Sequence, residues 1–262
     1  MKQNNTLKKL LPIFNPMKFP SGVALFLDVD GTLIEIADKP ASITVSNNLK
    51  QLLSKLERQA DGALALVSGR TISEIDQLFQ PLKLPISGKH GFESRDASGL
   101  IHVSPYKFSK RMAHILKTLQ QFVIKNPGTM LENKEQTLAL HYRLKPEIKN
   151  QATNLVNRLI ENHSNLEVLD GKMVLEIKPK ANHKGTAISK FMQEKPFAGK
   201  TPFFFGDDVS DEDGFKTINT INGISICINP QSESNAQFKL KTVRAVIHWL
   251  EHFCKKNQKL ES

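Results

Sequence analysis

Four polar positions stand where apolar runs stop, and their residue types suit phosphoryl transfer. The first is the acidic pair in Leu25-Phe26-Leu27-Asp28-Val29-Asp30-Gly31-Thr32. Carboxylates at i and i+2 of an extended chain point to the same side. Gly31 permits a sharp turn directly after them, and Thr32 adds a hydroxyl and an N–H. Asp28 suits nucleophilic attack on phosphorus, giving an aspartyl-phosphate. Two neighbouring carboxylates repel unless a cation lies between them or one holds a proton. Mg2+ would relieve that repulsion, bind through oxygen and draw phosphate oxygens in. Asp30 would protonate the leaving oxygen and later deprotonate water. The bland alternative for the pair alone is a D-x-D-G turn or a helix cap, and its distant partners weigh against that. Ser68, after the run Ala63–Val67, could donate to a phosphate oxygen. Lys184 could neutralise both the phosphoryl group and Asp28. Asp207, in Gly206-Asp207-Asp208, could complete the magnesium shell, with Asp211 holding its waters. Positioning and charge stabilisation of this kind supply most of phosphoryl-transfer catalysis.

The elements that would position these groups follow a strand–helix–strand rhythm. Val23 to Leu27 is too short for a buried helix and suits a buried parallel strand. Ser46 offers an N-cap ahead of Leu49, Leu52, Leu53 and Leu56 at helical spacing. Ala63 to Val67 reads as a second strand, Ile72 to Phe79 as a helix, and Pro85 to Ser87 as a short strand entering Gly88-Lys89-His90-Gly91. This order predicts a right-handed parallel unit. From about Arg95 the texture changes. A half-exposed strand at Gly99–Val103 is followed by a helix through Met112, Ile115 and Leu119, and by extended chain from Met130 to Arg143. A second helix holds Leu155 and Leu159, and Asp170-Gly171 marks a hairpin. The first domain resumes near Ala181, with strands at Thr201–Phe205 and Ile224–Ile228 and a closing helix from Val243. The expected organisation is an N-terminal arm at 1–20, an α/β core at 21–94 and 181–262, and an inserted α/β cap at 95–180. Open parallel sheets place their sites at strand carboxyl ends, where Asp28, Ser68 and Asp207 fall.

Bulk properties narrow the class. At 262 residues, 39% hydrophobic and 24% charged, the chain reads as a soluble globular protein. No apolar run approaches a membrane span, and Leu10-Leu11-Pro12-Ile13-Phe14 is too short for a signal peptide. Cys227 and Cys254 give neither a disulfide framework nor metal spacing, which predicts thiols in a cytoplasmic protein. The net charge of +10 suits a solvated basic surface or steering of an anionic substrate. Basic residues are scattered, with no block interleaved with aromatics, so no nucleic-acid partner is expected. A monomer without membrane attachment is the expectation.

These motifs resemble those of the haloacid-dehalogenase (HAD) superfamily phosphatases: Asp28-Val29-Asp30-Gly31-Thr32, then Ser68, Lys184, and Gly206-Asp207-Asp208 with Asp211. Within that superfamily the chain resembles the trehalose-6-phosphate phosphatases through Val67-Ser68-Gly69-Arg70, Lys89-His90-Gly91, Glu132-Asn133-Lys134, His141-Tyr142-Arg143 and Glu176-Ile177-Lys178-Pro179. The likeness covers about Gly22 to Trp249. It implies a Rossmann-like core with a cap inserted between the second and third motifs. It also implies Mg2+ held by the Asp28 carboxylate, the Asp30 backbone carbonyl and the Asp207 carboxylate. Trehalose 6-phosphate would be bound with Arg70, His90, Gly91, Glu132, Lys134, His141, Arg143 and Glu176. Ser210 departs from the threonine frequent in that family. Independently, Glu132 with Lys134, and His141 with Arg143, would share a face of extended chain, as fixed donors and acceptors for a neutral sugar require. The bland alternative is a cross-strand charge ladder. A phosphatase for another sugar phosphate, such as sucrose 6-phosphate, is the nearest rival function. A basic nucleic-acid-binding protein on an inactive HAD fold is the remote one.

Overall fold

In a computed structural model the structure describes residues 22–36, 44–104, 110–133, 137–171, 173–230 and 233–258. The expected arm at 1–20, most of the loop 36–44, and Lys134 lie outside them. The first elements are β1 (Val23–Leu27), α1 (Asn47–Gln59), β2 (Leu64–Val67), α2 (Ile72–Phe79), β3 (Ile86–Gly88), β4 (Glu93–Arg95) and β5 (Ile101–Val103). Next come α3 (Lys110–Lys125), β6 (Met130–Asn133), β7 (Leu138–His141), α4 (Lys149–Ile160), β8 (Leu166–Gly171) and β9 (Val174–Pro179). The chain closes with α5 (Lys184–Phe191), β10 (Thr201–Gly206), α6 (Glu212–Thr220), β11 (Ile224–Ile228), β12 (Phe238–Leu240) and α7 (Val243–Gln258). Two compact units result: residues up to 103 with those from 183 on, and residues 104–182.

The first unit is built on an eight-stranded sheet in the order β12-β11-β10-β1-β2-β3-β4-β5. The six strands from β12 to β3 run parallel, and β4 and β5 extend the edge antiparallel. Its inner strands are apolar on both faces, which helices on both sides require. Val23, Leu25 and Leu27 pack with Leu53 and Leu56 of α1, Ile75 and Phe79 of α2, and Trp249 and Leu250 of α7. The alternate residues Ala24 and Phe26 pack with Ile188 and Phe191 of α5 and Phe215 and Ile218 of α6. Phe203, Phe204 and Phe205 divide between the same two cores, as the two-residue strand period dictates. Going outward from the β1–β10 pair, chain order rises in both directions. That makes their shared carboxyl end the topological switch point, where such sheets bind ligands.

The second unit is a four-stranded antiparallel sheet, β6-β7-β9-β8, covered on one face by α3 and α4. Leu138, Leu140, Leu175 and Ile177 meet Met112, Ile115 and Leu119 of α3 and Ala152 and Val156 of α4. Between the units, the seam falls after Val103, later than the texture change at Arg95 suggested. Arg95 explains the difference. Its guanidinium reaches both carboxylate oxygens of Asp76 at 2.9 Å and donates twice to the Leu84 carbonyl, so β4 is tied to α2 and the first sheet.

Candidate active site

The turn after β1 and the loop after β10 bring the acidic residues together. The register pairs Leu27 with Phe205, and the Asp28 N–H donates to the Phe205 carbonyl at 3.0 Å. Asp28 is thereby level with Gly206 and Asp207. Gly31 adopts φ +83°, and a Cβ there would lie 2.0 Å from Asp207 Oδ2. Bare backbone at position 31 is what admits the Asp207 carboxylate. Lys184, the first residue of α5, is buried and donates from Nζ to Asp28 Oδ1 at 2.7 Å and to Asp211 Oδ1 at 2.6 Å. Asp211 Oδ2 accepts from the backbone N–H groups of Asp207 and Asp208 at 3.1 and 3.0 Å. Both oxygens of Asp211 are thus engaged in holding Lys184 and the loop. Ser68, buried at the end of β2, accepts from the Arg70 N–H at 3.1 Å. Arg70 in turn binds Asp30 through Nε–Oδ2 at 2.6 Å and Nη2–Oδ1 at 2.7 Å.

Charge and burial make the cluster cation-seeking. Single carboxylate oxygens of Asp28, Asp207 and Asp211 lie within 4.8 Å of one another. Burial first, then the charges of Asp28 and Asp211, push the Asp207 carboxyl up to about 8. Burial likewise raises Asp211 to about 7, against the pull of the Lys184 ammonium. Burial pulls the Lys184 pKa down, but the Asp211 and Asp28 carboxylates outweigh it and hold it above its ordinary value. One ammonium faces two buried carboxylates and the partly buried Asp207, so without a cation the cluster relieves its repulsion by holding protons. Asp207 Oδ1 is also buried without a hydrogen-bond partner. A hard divalent cation bound through oxygen answers both conditions. Asp28 and Asp207 have oxygens available for it.

The face of the second unit's sheet opposite α3 and α4 carries its own polar group. The register places Glu132, Ala139 and Glu176 in one row across β6, β7 and β9. Directly paired residues share a face, so the small Ala139 lies between two carboxylates. His141 Nε2 lies 3.1 Å from Glu132 Oε2. The Thr137 hydroxyl donates to Glu176 Oε1 at 2.7 Å.

A model of the trehalose-phosphatase family matches residues 26–244. The chain is 38% identical over 242 residues to trehalose-6-phosphate phosphatase of Escherichia coli (strain K12), covering 92% of this chain and 90% of that protein. This chain belongs to the trehalose-phosphatase family. The C-terminal domain of Candida albicans trehalose-6-phosphate phosphatase shares its fold with a TM-score of 0.74, 23% identity and coverage of 89% and 92% of the two chains. A haloacid dehalogenase-like hydrolase from Bacillus subtilis shares it with a TM-score of 0.66, 15% identity and coverage of 88% and 99%. The expected α/β HAD fold is therefore the observed one.

Against what the trehalose-phosphatase motifs implied, Asp28, Asp30, Ser68, Arg70, His90, Lys184 and Asp207 line one cavity of roughly 360 Å³. Gly91 is not among its walls and sits against the backbone of His183. Arg143 is not on a strand face with His141. β7 ends at His141, and the Lys145 N–H closes a turn onto the Tyr142 carbonyl at 2.9 Å. Tyr142 joins Leu138 and Leu140 in the second core, and the turn that follows it leaves Arg143 exposed. Asp211 holds Lys184 directly, where the sequence suggested a role through metal-bound water. Glu74 also lines the cavity and escaped the sequence reading. Its visible signal was Thr71-x-x-Glu74, a capping box that closes on the start of α2.

Proposed function

We propose that this chain is a Mg2+-dependent phosphatase that hydrolyses trehalose 6-phosphate to trehalose and phosphate through an aspartyl-phosphate on Asp28. Trehalose-phosphatase membership along residues 26–244 carries the substrate, and the Asp28–Lys184–Asp207 convergence supports the chemistry. Mg2+ would be held by Asp28, Asp207 and the Asp30 backbone carbonyl. When bound, it supplies electrostatic stabilisation of the phosphoryl oxygens.

The protein groups divide the remaining work. Lys184 neutralises Asp28 and the incoming phosphoryl group, so that an Asp28 oxygen reaches phosphorus without repulsion. Ser68 orients a phosphoryl oxygen. Asp30 gives a proton to the sugar oxygen and afterwards takes one from water. Arg70 and His90 complete the phosphoryl end, next to Gly91. Glu132, Lys134, His141, Arg143 and Glu176 supply charged donors and acceptors for trehalose, whose hydroxyls are best fixed by such groups. The soluble substrate, the two free buried thiols and the absence of any described helix long and apolar enough to cross a membrane support a cytoplasmic enzyme. We read it as a monomer that acts on a small molecule and not on nucleic acid.

The deciding experiment is phosphate release from trehalose 6-phosphate, sucrose 6-phosphate, glucose 6-phosphate and p-nitrophenyl phosphate, with and without Mg2+. Trehalose 6-phosphate is expected to give the highest kcat/KM, and only with the metal. A higher kcat/KM for another sugar phosphate would overturn the substrate assignment.

A further inference from the structure

Asp30 has to move protons, yet its carboxylate is held by a group that the reaction scheme uses only for the substrate. Both of its oxygens accept from the Arg70 guanidinium, at 2.6 and 2.7 Å. A two-bond fork of this kind fixes the plane and direction of a carboxylate as well as attracting it. Arg70 is itself anchored. Its N–H donates to Ser68 Oγ at 3.1 Å, and its carbonyl accepts from the Lys89 N–H at 2.9 Å. The side chains of Arg70 and Asp30 are 15% and 35% exposed, so the pair opens onto the cavity. The carboxylates of Asp28, Asp207 and Asp211 form a separate group around the cation position and Lys184. Asp30 thus takes its side-chain orientation from Arg70.

We propose that Arg70 is a positioning residue for Asp30, setting the direction from which its carboxyl group exchanges protons with the ester oxygen and with water. This rests on the phosphatase reading above. In the first half-reaction an Asp28 oxygen bonds to phosphorus. The bond from phosphorus to the sugar oxygen breaks with its electron pair going to that oxygen, which takes the Asp30 proton. In the second, a water oxygen bonds to phosphorus and Asp30 takes a water proton. The Asp28–phosphorus bond breaks with its pair returning to the carboxylate. Each transfer needs the carboxyl within hydrogen-bond reach at a usable angle. Without the fork, the Asp30 torsions are free to visit other staggered positions.

The test compares the wild type with Arg70→Met and Arg70→Lys on phosphate monoesters of graded leaving-group basicity, from p-nitrophenyl phosphate to alkyl and sugar phosphates. Nitrophenolate departs without a proton; an alkoxide needs one. Any loss of contact with the phosphoryl group is common to all the esters, so Arg70→Met is expected to lower kcat/KM on alkyl and sugar esters by about 100-fold more than on the nitrophenyl ester, within the usual range for acid catalysis. Arg70→Lys, charged but unforked, is expected to fall between. A residue that only held the phosphoryl group, or only supported the fold, would cost the same factor on every ester, and that result overturns the proposal. A crystal structure of Arg70→Met supplies a readout independent of activity. Its Asp30 carboxylate is expected to turn away or divide between two positions, and an unmoved Asp30 side chain also overturns the proposal. If the wild type hydrolyses alkyl phosphates but not trehalose 6-phosphate, the substrate assignment fails while the leaving-group comparison still decides the role of Arg70.

Discussion

Gly31→Ala is expected to disable the site while leaving the fold largely intact. The added Cβ would sit 2.0 Å from Asp207 Oδ2, 2.4 Å from its Cγ and 2.7 Å from its Oδ1, whereas real Cβ atoms stay beyond 3.0 Å. Asp207 must therefore retreat by about 1 Å, and a displacement of that size at a reacting centre costs on the order of 100-fold in rate. The same carboxylate is a proposed Mg2+ ligand, so metal affinity should fall alongside the rate. Position 31 also has φ +83°, and a non-glycine residue held in the left-handed region costs about 1–2 kcal/mol. That strain alone would lower Tm by roughly 2–8 °C in a chain of this size. Gly99 separates the two effects, because it has φ +90° with nothing within 4 Å of an added Cβ. Gly99→Ala should show the strain without the loss of activity. The assays are phosphate release from trehalose 6-phosphate, calorimetric Mg2+ titration and thermal unfolding. If Gly31→Ala keeps the wild-type rate and Mg2+ affinity within about threefold, the proposed contact between the Asp28–Asp30 turn and the metal carboxylate is wrong.

Other expectations concern the metal, the sheet edge and the sugar-facing residues. Because the metal-free Asp207 pKa is raised to about 8, the folded apo-protein binds protons that the unfolded chain does not. Its stability therefore falls as pH rises from the ordinary aspartate range through 8. Saturating Mg2+ displaces those protons, so its Tm increment should be larger at pH 8 than at pH 6; an equal increment would count against Asp207 as a ligand. Asp76→Asn should cost about 2 kcal/mol at pH 7, below the 3–5 typical of a fully buried pair because Asp76 is partly exposed. The Asp76 pKa is lowered because Arg95 and Lys83 outweigh the effect of burial. Its contribution is present above the ordinary aspartate pKa and lost as pH falls through the lowered folded value, so the gap between the two proteins in urea unfolding should shrink steadily as the pH is taken below the ordinary aspartate range; a gap that did not shrink at all would contradict the ion-pair account. Glu176→Gln and Glu132→Ala should reduce kcat/KM for trehalose 6-phosphate by on the order of 10–100-fold, the cost of one or two charge-assisted hydrogen bonds. Both should leave p-nitrophenyl phosphate within about threefold, and equal losses on the two substrates would remove these residues from sugar recognition.

What the sequence made legible is what backbone periodicity controls. Val23–Leu27 and Thr201–Phe205 could be read as buried parallel strands because both faces are apolar, and a parallel sheet places its polar stops at one edge. That is why Asp28 and Asp207 could be expected to meet although far apart in sequence. Local pattern ran out where side chains choose partners across loops. Arg95 looked like the start of a new texture because β5 is exposed at Ile101, His102 and Val103, and nothing near it announces the Asp76 pairing. Leu138, Leu140 and Tyr142 enter the second core in regular alternation, so nothing in that pattern announces the turn after Tyr142 that takes Arg143 off the strand. Asp211 read as a ligand-side carboxylate, since acidic spacing cannot tell a residue facing a cation from one clamping a lysine. The Arg70–Asp30 fork was the least visible of all. Each residue had a role in its own motif, and only the fold sets a guanidinium from the turn after β2 against a carboxylate from the turn after β1. Catalytic groups could thus be named from the chain, but which of them hold one another in place depended on the angles at which the loops leave the sheet.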